Sequence, residues 1–204
     1  GSEMCIRDSI SLFRNTNQAF PFDGNRVEAY TLGLSMLQSL LRELGKATKH
    51  IHMEFYIFED DAIGRLVRDV LMEKARAGVE VRVIYDDVGC WNVKDGFFKE
   101  MKEAGIEVYA FLRVAFPVFT SKVNYRNHRK IIVIDGKVGF MGGMNIADRY
   151  DKGTSWGTWR DTHFKFVGKG VHGLQSVFLI DWYVVSKKLL NDRIYYPAAQ
   201  IYSD

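Results

Sequence analysis

The chain has 204 residues, 47% of them hydrophobic, which is enough to bury one substantial core, and its length favours one domain over two. Its 28 basic and 25 acidic residues nearly cancel to a formal +3. That falls short of the basic stripe of a dedicated nucleic-acid binder, so nucleic acid is disfavoured as a partner. No segment approaches the roughly 18 uninterrupted apolar residues of a membrane span, and the nearest, Val177 to Val185, is broken by Asp181.

Gly1-Ser2 reads as an engineered scar heading a disordered leader over residues 1–19, with a single domain over 20–204. Cys5 and Cys90 fit no metal-ligand spacing, which predicts reduced thiols, a cytosol-facing domain and no metal. Residues near 26 to 32 are β-rich, and Leu34, Leu37, Leu40, Leu41 and Leu44 then recur at helical spacing up to Gly45. His50 to Phe58 alternates, with His50, His52, Glu54, Tyr56 and Phe58 on one face of a strand. Asp60-Asp61 caps a helix running to about Ala77, Gly78 ends it, and Val79 to Tyr85 is the next strand. A helix near Asp95 to Ala104 and a strand from Ile106 to Phe111 repeat the rhythm. An α/β fold follows, with a mixed, mostly parallel sheet flanked by helices on both faces.

Leu112 to Arg126 breaks that rhythm and reads as a surface loop. Phe116 and Phe119 with Lys122 and Arg126 suit contact with an anionic lipid surface, while packing under the sheet or against a missing second half suits them equally. Lys130 to Ile134, Asp135-Gly136 and Lys137 to Met141 form a hairpin signature. A strand from about Asp161 to Val167 and a helix from about Val171 to Leu190 complete the order, and no segment repeats.

The chemistry concentrates on that hairpin. His128 and Lys130 are two apart on a strand and project the same way, so both can meet one substrate. Neutral imidazole is nucleophilic near pH 7 and attacks a tetrahedral phosphorus, while Lys130 offsets charge on the phosphate oxygens. Gly142-Gly143 lets backbone approach a phosphate, and Asn145 adds a neutral donor or caps the helix after it. No metal or cofactor is required. A nucleophilic ring needs an acid on its other nitrogen. Asp161 is the candidate and Asp135 the alternative, although the Asp-Gly turn already gives Asp135 a structural reason to exist. His52 and Glu54 are candidates for supporting contacts at the border of the site. His163, on the strand face of Asp161, is either a packed histidine or an intrachain acid.

The set His128, Lys130, Asp135, Gly142, Gly143 and Asn145, spaced His-x-Lys-x4-Asp-x6-Gly-Gly-x-Asn, resembles the signature of the phospholipase D superfamily. The surrounding words resemble the amino-terminal catalytic half of bacterial cardiolipin synthases over roughly residues 20 to 190. They are Ile51 to Phe58, Val83 to Gly89, Ser121 to Lys130, Asn145 to Tyr150, Trp159 to His163 and Asp181-Trp182-Tyr183. The resemblance implies a single phospholipase D-like repeat and phosphatidyl transfer through a phosphohistidine on His128. Two phosphatidylglycerols would become cardiolipin and glycerol, at the cytoplasmic face of the bacterial inner membrane. It also implies that Asp161 orients His128. Family enzymes join two such motifs at one site, one histidine attacking and the other protonating the leaving oxygen. This chain has one, so its partner is either a missing C-terminal half or a second copy of itself, as in smaller single-motif members. A homodimeric phosphodiesterase acting on nucleic acid, or an inactive half-domain that binds phosphate or lipid, are the other readings.

Overall fold

A computed structural model of the chain describes residues 2–17, 21–111, 127–153, 157 and 160–202. Seven strands form one sheet: β1 (Arg26–Tyr30), β2 (His50–Phe55), β3 (Glu80–Asp86), β4 (Glu107–Phe111), β5 (Lys130–Ile134), β6 (Val138–Gly142) and β7 (His163–Val167). Their order across the sheet is β1-β7-β6-β5-β2-β3-β4. The helices are α1 (Ser2–Asn17), α2 (Gly33–Lys46), α3 (Ala62–Arg76), α4 (Asp95–Glu103), α5 (Arg149–Lys152) and α6 (Gly170–Ser186).

The expected α/β sheet is found, with helices on both faces. Its parallel part is β2-β3-β4, where α3 and α4 carry the chain back between strands. The other four ladders are antiparallel, so parallel pairing is less extensive than the repeated strand–helix rhythm suggests. β5 lies antiparallel beside β2, and the β5–β6 hairpin then makes β6 antiparallel to β5.

Each face is closed by a different part of the chain. Ile51, Met53 and Phe55 of β2 join Leu40 and Leu44 of α2, Val67 and Leu71 of α3, and Met101 of α4 in the larger core. On the other face α6 lays Phe178 and Trp182 on Ile84, and Val171 on Ile131 and Val133. Burying each of these side chains contributes about 1.5–3 kcal/mol. The helix starts follow local chemistry: Asp61 caps α3 by accepting from the Gly64 N–H at 2.8 Å.

Residues 2–17, within the expected leader, are described as helix α1: the segment holds no glycine or proline to stop one, and the described side chains from Arg7 onward are exposed. One expectation changes. The polar face of β2 faces α6 and not a site. Gln175 places its Nε2 2.8 Å from His52 Nδ1 and its Oε1 3.3 Å from His50 Nε2, and Phe178 stacks on His52 at 4.6 Å. His52 therefore serves packing under α6.

The hairpin turn does a second job. Asp135 and Gly136 both adopt positive φ, 53° and 65°, as a tight β-hairpin requires. The Asp135 carboxylate then accepts from the backbone N–H groups of Thr48, Lys49 and His50 at 2.9, 2.8 and 3.0 Å, locking the entry of β2 to the hairpin. These bonds outweigh burial and hold its pKa below the usual carboxylate range. Replacing it strands three donors, so Asp135→Ala is expected to cost about 2–4 kcal/mol in denaturant unfolding. A loss below about 0.5 kcal/mol would contradict this anchoring role.

Candidate active site

The strands set the site at one end of the sheet. β2 and β3 end there at Phe55 and Asp86, β6 ends at Gly142, and β5 and β7 begin there at Lys130 and His163. Lys130 pairs with Phe55, and His163 pairs with Gly142. Asp135 lies at the opposite end of β5, about 23 Å of extended chain from His128 at 3.3 Å per residue. The motif's aspartate is thus a lock on the fold, away from His128.

His128 is exposed, just before β5, and Lys130 is 2% exposed. Lys130 Nζ lies 2.8 Å from His128 Nδ1 and donates to the His128 carbonyl oxygen, also at 2.8 Å. The Tyr56 ring completes the contact, its centroid 4.7 Å from the imidazole and 5.3 Å from the ammonium. Burial pushes the Lys130 pKa down to about 8, with Asp161 pulling the other way. His128 is lowered by desolvation and then by Lys130, against the opposing pull of Asp161 and Asp86. Its ring is neutral at pH 7, the form that attacks phosphorus.

Asp161 sits on the run into β7, where its Oδ1 accepts from the Thr162 N–H at 2.7 Å. Among the described residues no hydrogen bond joins it to His128, and it acts on that ring through charge. Its seat is made by Gly143: a Cβ there would fall 2.0 Å from Asp161 Oδ1. Gly142 makes the same kind of room for His163, whose Cα a Cβ would meet at 2.5 Å. Gly143 also spends its N–H on the Thr162 carbonyl at 2.9 Å. The glycine pair therefore brings the acid and the start of β7 close, where a phosphate cradle was expected.

Asn145 is likewise committed. Its Oδ1 accepts from the Ile57 N–H at 3.0 Å and its Nδ2 donates to Tyr150 Oη at 2.8 Å. It is not a helix cap, since α5 begins four residues later with Asp148 before it. The Ile57 bond and the Phe58 N–H to Cys90 Sγ bond steer the chain leaving β2. They end the alternation at Phe55, send Phe58 into the core and turn Tyr56 to His128. Tyr56 is the contact that the alternating pattern misassigned.

His163 is fully buried, and among the described residues neither of its ring nitrogens has a hydrogen-bond partner. Burial, then Lys130, pulls its pKa down to about 4, so it is a packed neutral ring and not an acid at pH 7. Glu54 lies under the 127–129 segment on the α6 side and touches Asn127. Phe116, Phe119, Lys122 and Arg126 lie outside the described residues. No group of three or more His, Cys, Asp or Glu side chains among the described residues is arranged to hold a metal.

Residues 40–152, more than half of the chain, match the family model described as cardiolipin synthase, PLD-like domain. The chain belongs to that family. It is 48% identical over 161 residues to a cardiolipin synthase of Geobacillus kaustophilus, an alignment that takes in 78% of this chain and 32% of the relative. It is 40% identical over 177 residues to the major cardiolipin synthase ClsA of Bacillus subtilis, covering 86% of this chain and 37% of the relative. The chain thus spans about a third of the length of these curated relatives. Among solved structures, NucT from Helicobacter pylori shares the PLD-like fold with a TM-score of 0.63 at 16% identity, over 79% of this chain and 98% of that one.

Two measurements test this geometry. Gly143→Ala is expected to push Asp161 aside and lower the His128 pKa further, because a raising charge is lost; an NMR titration with an unchanged His128 midpoint would contradict the contact. His163 binds its proton more readily unfolded (near 6.5) than folded (about 4), so it withdraws stability as pH falls from 6.5 toward 4. The loss from this ring is about 3 kcal/mol, and His163→Phe should flatten that part of the stability–pH curve.

Proposed function

We propose that the chain carries the nucleophilic half of a cardiolipin synthase site, in which His128 takes a phosphatidyl group from phosphatidylglycerol as a phosphohistidine. The observation that carries this is the exposed, neutral His128 ring held against the buried Lys130 ammonium beside Asp161. In the resting arrangement Nδ1 faces Lys130, which leaves the ring proton on Nε2. An arriving phosphate gives Lys130 better acceptors than an imidazole nitrogen. In the freed ring the proton passes from Nε2 to Nδ1 by exchange with water, so that Nδ1–H turns toward Asp161 and the Nε2 lone pair faces phosphorus. The new N–P bond forms as the bond to the glycerol oxygen breaks. A second phosphatidylglycerol hydroxyl takes the group from His128, giving cardiolipin and restoring the ring.

The departing glycerol oxygen needs a proton, and His163, buried and held neutral, is unsuited to give one. We assign that role to a second motif, from the remaining two thirds of a chain as long as the curated relatives or from a second copy of this one. With lipid substrates the working protein would act at a membrane surface, and the cytoplasmic face of the inner membrane is the location proposed for it. No helix among the described residues is long and apolar enough to cross a membrane. Names of the relatives favour the lipid over a nucleic acid.

The test is acid-labile phosphate on the chain after incubation with headgroup-phosphate-labelled phosphatidylglycerol micelles, with glycerol release as the second readout. Label at His128 is expected, absent in His128→Ala and falling as pH rises past about 8, where Lys130 loses its charge. Equal labelling of His128→Ala would refute the mechanism.

A further inference from the structure

Two carboxyl groups meet away from water beneath the segment that presents His128. Glu54, near the site end of β2, is 2% exposed, and Asp181, in α6, is 6% exposed. Glu54 stands opposite Ile131 in the ladder, one residue into β5 from Lys130. Asn127 bridges the two acids: its Nδ2 donates to Glu54 Oε1 and, at 3.4 Å, to Asp181 Oδ2. The same side chain accepts from the Arg129 N–H at 3.1 Å through Oδ1, which closes an Asx turn around His128. Arg129 returns to Asp181 Oδ2 with its guanidinium. Asn127 is therefore tied to both acids and Arg129 to Asp181, so both sequence neighbours of His128 are held by this cluster.

Charge is unequally met in this cluster. Asp181 receives the Arg129 guanidinium and the Asn127 amide on one oxygen. Glu54 Oε2 is buried and has no hydrogen-bond partner among the described residues. Two carboxylates this close in a dry site repel, and a proton on one of them relieves that repulsion while creating a donor for the other. Burial, then the Asp181 charge, pushes the Glu54 pKa up to about 9, with Arg129 and Asn127 opposing. Asp181 from α6 and Arg129 from the 127–129 segment are the charged groups that face it.

We propose that Glu54 and Asp181 hold one proton between them and act as a positioning pair, a neutral acid and an anion that grip Asn127 and Arg129 and so fix the turn presenting His128. Neither acid touches the phosphate. The inference rests on the reading of His128 as the nucleophile. A second anion in the cluster would compete with Asp181 for Arg129 and loosen the turn, so the neutral form of Glu54 is the working one.

Carbon-13 NMR of the carboxyl and imidazole groups tests the pair on the whole chain without substrate. Glu54 is expected to be protonated at pH 7 in the wild type and to titrate at lower pH in Asp181→Asn, with the His128 ring signals shifting in that variant. Glu54→Gln, neutral and of the same shape, is expected to leave the His128 shifts and titration unchanged. Glu54→Ala is expected to move them and to slow phosphohistidine formation by about tenfold or more, the scale of a misplaced reacting group. If Glu54→Ala does not fold, Glu54→Gln and Asp181→Asn carry the comparison. An ionised Glu54 in the folded wild type at pH 7 overturns the proposal. So does a Glu54→Gln variant that perturbs His128 as Glu54→Ala does, or folded Glu54→Ala and Asp181→Asn chains whose His128 signals do not move. Failure of the nucleophile reading would show separately, as absent phosphohistidine in a wild type whose ring signals still answer to the pair.

Discussion

A buried ammonium organises this end of the molecule. Lys130 enters the sheet at the first residue of β5 with almost no exposure, and a cation so placed must find acceptors or lose its proton. It partly does both, by bonding to the backbone and ring of His128 and by a pKa drawn down to about 8. The surroundings follow from that charge. His163 stays neutral in part because Lys130 is near, Tyr56 offers it a ring face, and His128 is turned toward it while at rest. Lys130 thus holds a desolvated charge whose partners are the backbone and ring of His128.

Much of the fold was legible because local signals and tertiary demands agree. The Asp-Gly turn, the Asp61 cap and the strand–helix rhythm each specify an element that packing then confirms. The pairing of His128 with Lys130 was legible too, since residues two apart on a strand share a side, and the two side chains meet at 2.8 Å. What escaped depends on long-range bonds. Alternation along residues 50–58 fails after Phe55 because Asn145 and Cys90 capture the backbone there. Glycines that read as a phosphate cradle are needed by Asp161 and His163, a demand visible only once β6 and β7 are side by side.

The α6 face shows how a polar strand face can be internal. Gln175 meets His50 and His52, Phe178 stacks on His52, and Asp181 meets Asn127 and Arg129, so one helix both covers the sheet and supports the turn at His128. Packing and chemistry are coupled through that helix. A change in its seating would be felt at the nucleophile without any residue of the site being altered.

The anchoring of Asp135 gives the motif spacing a different meaning. The four residues between Lys130 and Asp135 are the body of β5, from the catalytic end of the sheet to the end where β2 begins. The pattern is therefore a ruler as well as a signature: it measures one crossing of the sheet and clamps both ends. One inserted residue would turn the aspartate to the opposite face, while two would carry it past its three amide partners. A spacing that looks like a list of reactive groups is, over this stretch, the length of a beam.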